Sequence, residues 1–159
     1  MDLSAADPDV LLLVGTQTGN AEIVAEAIAE GLGALGFAVH LLDLAEAFPE
    51  QLGDYRQALF VTCTWSDGTD PDNAVDFMAA FAELAPALGH LAAGVVGLGD
   101  RDYEPVYQTA ARRLEGRLRD FGARLPLPLH EIDGGPTPAQ VAGAVAWAER
   151  WAAALVAEG

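Results

Sequence analysis

Thr16-Gln17-Thr18-Gly19-Asn20 follows directly on the apolar run from Val10 to Gly15, and this turn is where the chain first offers chemistry. A buried strand that feeds a Thr/Gly turn and then a helix leaves the helix's first N–H groups unpaired and aimed at one point, which suits an anion. A Walker-type loop would need lysine, and all eight basic residues here are arginines. Phosphate would therefore be held by backbone N–H groups and the hydroxyls of Thr16 and Thr18, helped by the Asn20 amide and the helix dipole. Such a cradle suits a phosphate monoester held in place, not one being transferred. A plain strand-to-helix turn capped by Thr18 or Asn20 is the competing reading.

Two later loops carry aromatic residues in otherwise polar sequence. One reads Thr64-Trp65-Ser66-Asp67-Gly68-Thr69-Asp70-Pro71-Asp72-Asn73, the other Gly99-Asp100-Arg101-Asp102-Tyr103-Glu104-Pro105. Aromatic residues in turns usually fold inward over a core edge, but two on facing loops beside a phosphate cradle could sandwich a flat ring. Phosphate site, aromatic walls and polar backbone edges together describe a mononucleotide with a large conjugated ring. No acid-base constellation accompanies them: His40, His90 and His130 are scattered and read as surface or loop residues. Cys63 ends an apolar run and reads as a small core residue.

The elements that must position these loops follow from periodicity. Val- and Leu-rich runs predict strands over about 10–15, 37–42, 57–63, 92–98 and 125–129, alternating with helical patterns, as in a parallel sheet covered on both faces. The helix over 20–35 puts Ile23, Val24, Ala27, Ile28 and Leu35 on one face and Glu22, Glu26 and Glu30 on another. The acidic connection 43–55 holds about one helical turn near Glu46 to Phe48. Helices follow over 73–85 and 105–121, the latter with Tyr107, Ala111, Leu114, Leu118 and Phe121 inward and Arg112, Arg113, Arg117 and Arg119 outward among carboxylate partners. The last, over 137–157, carries Val141, Val145, Ala148, Ala152 and Leu155 on one stripe. Gly31-Leu-Gly-Ala-Leu-Gly36 matches G-x-G-x-x-G letter for letter but lies at a helix end before a strand, the reverse of the dinucleotide order; Gly36 reads as a helix cap.

The 159 residues suffice for one well-buried core, and 52% of them are hydrophobic. No apolar run reaches the roughly 20 residues of a membrane span, and the acidic Met1-Asp2-Leu3-Ser4 is unlike a signal peptide, so a cytoplasmic location is expected. Met1 and Gly159 read as the natural ends of a free-standing single domain. With one cysteine there is no intrachain disulfide and no Cys-based metal framework, so redox chemistry must come from a bound cofactor. A formal charge of -16 argues against nucleic acid or an anionic membrane as partner. It favours docking with a basic protein face, and serves equally as a solubility or habitat trait.

Three motifs in order at successive strand ends carry a family resemblance over nearly the whole chain. Gly15-Thr-Gln-Thr-Gly-Asn-Ala-Glu22, Thr64-Trp-Ser-Asp-Gly68 with Pro71-Asp-Asn73, and Gly97-Leu-Gly-Asp-Arg-Asp-Tyr-Glu104 resemble the short-chain flavodoxins and the FMN domains of diflavin reductases. His130-Glu-Ile-Asp-Gly-Gly-Pro136 and the Trp-containing helix after it fit as well. The resemblance implies a three-layer αβα sandwich around a five-stranded parallel sheet of order 2-1-3-4-5, binding FMN without a covalent bond. Thr16, Gln17, Thr18, Gly19, Asn20 and Ala21 would hold the phosphate and Thr64 would meet the ribityl chain. Trp65 and Tyr103 would flank the isoalloxazine, with Ser66, Asp67 and Gly68 in the turn beside it. The backbone around Gly99, Asp100, Arg101 and Tyr107 would meet its pyrimidine edge.

The resemblance further implies a monomeric, non-enzymatic, metal-free electron carrier between a flavodoxin-reductase-type donor and an acceptor redox enzyme. The carboxylates Asp67, Asp70, Asp100 and Asp102 would disfavour an anionic reduced ring and lower its potential. Two positions depart from the family pattern. Ser66 stands where glycine is common, at a peptide that turns toward the reduced ring, and a non-glycine residue resists φ > 0 by about 1 kcal/mol. Ala21 stands where many relatives have a hydroxyl, which removes one phosphate hydrogen bond. An FMN-dependent NAD(P)H or quinone reductase on the same fold, and a flavin-free interaction module, are the alternatives.

Overall fold

The computed structural model describes residues 2–3 and 7–158. Five strands, β1 (Asp9–Gly15), β2 (Ala38–Asp43), β3 (Gln57–Cys63), β4 (Ala92–Gly99) and β5 (His130–Asp133), form one parallel sheet of order β2-β1-β3-β4-β5. Four helices cover it: α1 (Asn20–Ala34), α2 (Val75–Leu84), α3 (Thr109–Asp120) and α4 (Pro138–Glu158). Successive side chains of a strand point to opposite faces. Val10, Leu12 and Val14 therefore enter the core under α1 and α4, while Leu11 and Leu13 enter the core under α2 and α3. Among the described residues no helix is long and apolar enough to cross a membrane.

The expected elements are present, with four shifts. The last strand lies at His130–Asp133 instead of 125–129, because Pro126 and Pro128 have no N–H to give a ladder and pairing with Val96 begins only after them. The third helix starts at Thr109, not 105, because Gln108 just before it has φ 61. The connection after β2 holds two 3-10 segments, Leu44–Glu46 and Pro49–Asp54. On α1 the buried stripe is Ala21, Val24, Ala25, Ile28 and Leu32, and Ile23 is 52% exposed. One further helical turn, Asp72–Ala74, precedes α2.

Gly36, with φ 100, ends α1 in a Schellman motif: its N–H donates to Gly33 O (3.0 Å) and the Phe37 N–H to Leu32 O (3.1 Å). Gly31 in the same run serves packing, since a Cβ there would meet Val145 Cγ1 of α4 at 2.7 Å. The stripe of α4 is anchored by Trp147 and Trp151 in addition to the expected small residues. The Trp151 indole N–H donates to Ala93 O (3.1 Å) and that of Trp147 to Pro128 O (3.2 Å).

Candidate functional site

The strand order reverses between β1 and β3, and parallel sheets open a crevice beyond the carboxyl ends of the strands at that point. A cavity of about 450 Å³ lies there. It is lined by Thr16, Gln17, Thr18, Asn20 and Ala21 from the turn after β1, and by Thr64, Trp65 and Ser66 from the loop after β3. Gly99 at the end of β4 and Asp100, Tyr103 and Tyr107 from the loop after it line the facing side.

The turn after β1 is built for an anion. Gly19 adopts φ 90 at the start of α1, and no side chain caps the helix. The Gly19 N–H donates to Thr16 Oγ1 (2.9 Å). Among the described residues the N–H groups of Thr18, Asn20 and Ala21 have no protein acceptor. These orphan donors, the N-terminal end of the α1 dipole and the residues Thr16 and Thr18 border the cavity. Ala21 offers only its N–H, because its methyl group is packed into the core under α1.

Trp65 and Tyr103 are 42% and 67% exposed at the rim of the cavity, so each presents ring surface on which a flat ring can stack. The Trp65 turn is held to α3: the Thr109 hydroxyl donates to Gly68 O (3.0 Å) and the Ala110 N–H to Thr64 Oγ1 (3.1 Å). Tyr107 is buried, with the Arg101 guanidinium 4.4 Å above its ring. Arg101 also pairs with Glu104, Glu131 and Asp133 at 3.5–3.8 Å, and its N–H donates to Asp133 Oδ1 (2.9 Å).

Four expected residues stand off the cavity wall: Arg101, committed to its carboxylate partners, and Gly19, Asp67 and Gly68. Gly19 has its N–H turned into the Thr16 hydroxyl, so it shapes the turn. Asp67 is exposed at the tip of its turn. Gly68 is buried against α3, where a Cβ would meet Thr109 Oγ1 at 2.6 Å. Ser66 already has φ 50, so the left-handed backbone that serine was expected to resist is present in the resting fold.

Five residues on the wall were not expected there. Cys63 and Leu98 close β3 and β4 and turn one side to the cavity, Val106 neighbours Tyr107, and Gly134 and Gly135 form a fourth loop after β5. The Gly-Gly-Pro sequence was the available signal for that loop. It is fastened to its neighbours by Gly134 N–H to Gly99 O (2.8 Å) and by the Asn20 amide to Gly135 O (3.4 Å). Burial pushes the Cys63 thiol above its ordinary value and so keeps it protonated. Burial also raises Asp70, against the opposing pull of Arg113 and Arg117. Three arginines of α3 pair with carboxylates, Arg112 with Glu131 at 2.9 Å, Arg119 with Glu115 at 3.2 Å and Arg113 with Asp70 at 3.9 Å. Among the described residues no group of His, Cys, Asp or Glu could hold a metal ion.

The groups present fit a phosphorylated, flat-ringed cofactor: neutral donors for the phosphate at one end, two exposed aromatic rings at the other, and a polar loop between them. They define a mononucleotide-carrying α/β protein.

The chain belongs to the flavodoxin family, whose sequence model matches residues 12–147. FMN is the cofactor of that family and electron transfer its function. The sulfite reductase (NADPH) flavoprotein alpha-component of Shewanella sp. (strain ANA-3) is 38% identical over 125 residues, covering 78% of this chain and 20% of that protein. The protein of the same name from Neisseria meningitidis serogroup B is 34% identical over 158 residues, 98% of this chain and 25% of its own. The chain thus spans about a fifth to a quarter of the length of these relatives. A cysteine-to-alanine mutant of flavodoxin from Pseudomonas aeruginosa is 30% identical with a TM-score of 0.83, covering 92% of this chain and 98% of that one. Oxidised flavodoxin 1 from Bacillus cereus, at 23% identity and a TM-score of 0.81 over 90% of this chain and 96% of its own, shares the fold.

Proposed function

We propose that this domain holds one FMN in the cavity at the β1/β3 crevice and passes electrons from a reductase-type donor to an acceptor enzyme, without itself transforming a substrate. The observation that carries the proposal is the convergence of unpaired Thr18, Asn20 and Ala21 N–H groups with the exposed rings of Trp65 and Tyr103 about one cavity. When bound, FMN supplies the uptake and release of electrons singly or in pairs. The chain's own groups bind and orient it: the α1 turn takes the phosphate, Thr64 the ribityl hydroxyls, and Trp65 and Tyr103 the two ring faces. The backbone from Gly99 to Asp100, with Tyr107, borders the pyrimidine edge. Asp67 on the Trp65 loop, with Asp100 and Asp102 on the loop after β4, sets a negative field, while Asp70 is offset by Arg113 at 3.9 Å. That field opposes an added negative charge on the ring and makes the carrier a low-potential one.

A carrier reading is also supported by what the wall contains. Its titratable side chains are Cys63, Asp100, Tyr103 and Tyr107, and the Asp100 carboxylate is engaged by the Asp102 N–H (2.9 Å). Among the described residues no arginine lines it to receive the phosphates of a nicotinamide cofactor. The net charge of -16 suits an acceptor with a basic docking face and disfavours nucleic acid and anionic membranes. We place the protein in the cytoplasm, acting as a monomeric unit.

Titrating FMN into apoprotein tests the reading. Saturation at one equivalent with quenched flavin fluorescence is expected, and failure to bind would refute it. The length of the sulfite reductase relatives favours a second reading, in which the same domain serves as the flavin-bearing part of a larger reductase. NADPH oxidation by the loaded protein with no reductase added would support an enzyme in its own right; its absence supports the carrier.

A further inference from the structure

Asn73 does not line the cavity, yet its amide ties the loop after β3 to the turn after β1 and to Asp43 at the end of β2. Its Oδ1 accepts the Thr16 N–H at 2.7 Å, and its Nδ2 donates to Val14 O at 3.3 Å, so the amide grips the backbone on both sides of Gly15. The same Nδ2 donates to Asp43 Oδ1 at 2.7 Å, and that carboxylate oxygen also accepts the Ala45 N–H at 2.8 Å. A carboxylate facing the amide can only accept, so it fixes which end of Asn73 is the donor and strengthens the bond from Thr16 by polarising the amide. The next residue along continues the pattern: Gln17 Nε2 donates to Asp72 Oδ2 (3.0 Å) and the Asp72 N–H to Gln17 Oε1 (2.8 Å). The strand end beneath is closely packed, since a Cβ on Gly15 would meet Thr62 Oγ1 at 2.7 Å and Leu44 Cδ1 at 3.1 Å.

We infer that Asn73, oriented by Asp43, is the positioning residue of the phosphate turn: it sets the path of Val14 to Gln17 so that the Thr18, Asn20 and Ala21 N–H groups converge before any ligand arrives. The inference rests on the proposal that this turn holds the FMN phosphate. With the Thr16 N–H engaged by Asn73, the Gly19 N–H by Thr16 and the Gln17 N–H by the Cys63 sulfur, the N–H groups of Thr18, Asn20 and Ala21 are left for the ligand. Without Asn73 the turn keeps its sequence and its donors but must be ordered by the ligand itself, which is subtracted from affinity. The loss falls on the phosphate end alone, because the ring walls belong to other loops.

The test compares FMN with riboflavin, which carries the same ring and ribityl chain without phosphate, by fluorescence titration of apoprotein from the whole chain. The wild-type protein is expected to bind FMN much more tightly than riboflavin. Asn73→Ala should weaken FMN about tenfold or more, the scale of leaving roughly one residue to be ordered on binding, and riboflavin less than twofold. Asp43→Ala should give a smaller loss of the same phosphate-specific kind, and the double variant no more loss than Asn73→Ala alone. Equal loss for both ligands would show general support of the fold and overturn the inference, as would an unchanged preference for FMN in both single variants. A wild-type protein that binds riboflavin as tightly as FMN would instead overturn the phosphate turn itself. Should Asn73→Ala fail to fold, Asp43→Ala decides by the same criterion.

Discussion

Gln108→Leu is the substitution that most directly asks whether the cofactor loops are held from below. Gln108 is fully buried immediately before α3, with φ 61, and its Nε2 donates to Gly97 O of β4 (2.8 Å) and Ile132 O of β5 (3.2 Å). One amide therefore stitches the two strands whose ends carry the Tyr103 loop and the Gly134–Gly135 loop. Leucine fills much the same space but donates nothing. Two buried hydrogen bonds are lost, each costing about 1.5 kcal/mol once the stranded carbonyl is counted. Against this, Gln108 Oε1 has no partner among the described residues, and removing it returns about 1 kcal/mol of desolvation. The strain of a left-handed residue is the same in both proteins. The net is a destabilisation of about 2 kcal/mol. Urea denaturation of the apoprotein, with a slope of about 2 kcal/mol per molar for a domain of this size, should show the midpoint lowered by about 1 M. A midpoint unchanged or raised would refute the reasoning, and would mean that the unpartnered oxygen costs as much as the two bonds gain.

Tyr103→Ala removes a ring that has little protein to rest on, so apoprotein stability should change by less than about 0.5 kcal/mol, while FMN affinity falls about tenfold for the lost stacking, as a flavin titration would show. An unchanged affinity would mean that Tyr103 does not face the ring. His130 packs against Trp147, and burial with Arg150 nearby lowers its pKa below the ordinary histidine value. The unfolded chain therefore takes up the proton first, so stability drains away as pH falls below the unfolded value and the loss is complete below the folded one. His130→Asn should flatten the stability profile in that window, and a profile identical to wild type would remove His130 from the account. Reduction of the loaded protein by a basic reductase should slow steeply as ionic strength rises, since surface attraction from a charge of -16 is screened over about 10 Å at 0.1 M salt. A rate independent of salt would assign the acidity to solubility or habitat.

The layer order and the three crevice loops were legible because they depend on local pattern: Val/Leu runs of strand length, turn residues after each, and helical stripes between. What was not legible depends on contacts between residues distant in sequence. The expected fifth strand at 125–129 followed hydrophobicity and passed over the missing donors of Pro126 and Pro128. Ile23 has the right period for the α1 core face, but Leu32 and Ala25 set the true centre of that face. Gly19 reads as a phosphate ligand by type and position, whereas its N–H is used by a hydroxyl three residues earlier. Ser66 reads as a residue that resists φ > 0, and the fold holds it there all the same. Asn73 and Gln108 carry no signal of their role in any local window, since their partners lie between 11 and 59 residues away.

The proposed phosphate turn must attract an anion to a protein of charge -16. The arginines nearest the site are committed elsewhere: Arg101 to Glu104, Glu131 and Asp133, Arg112 to Glu131, and Arg113 to Asp70 at 3.9 Å. Among the described residues no arginine lines the cavity, so attraction comes from peptide dipoles, which add no net charge and can coexist with an acidic surface. Dipoles act only at short range and only when aligned, so the phosphate site depends on loop geometry in a way that a lysine-based site would not. That dependence accounts for where the buried and half-buried amides are placed. Asn73 and Gln17 fix the turn after β1, and Gln108 fixes the ends of β4 and β5; none of these contributions is formal charge. Surface carboxylates can then be varied to suit a docking partner while the cradle keeps its shape.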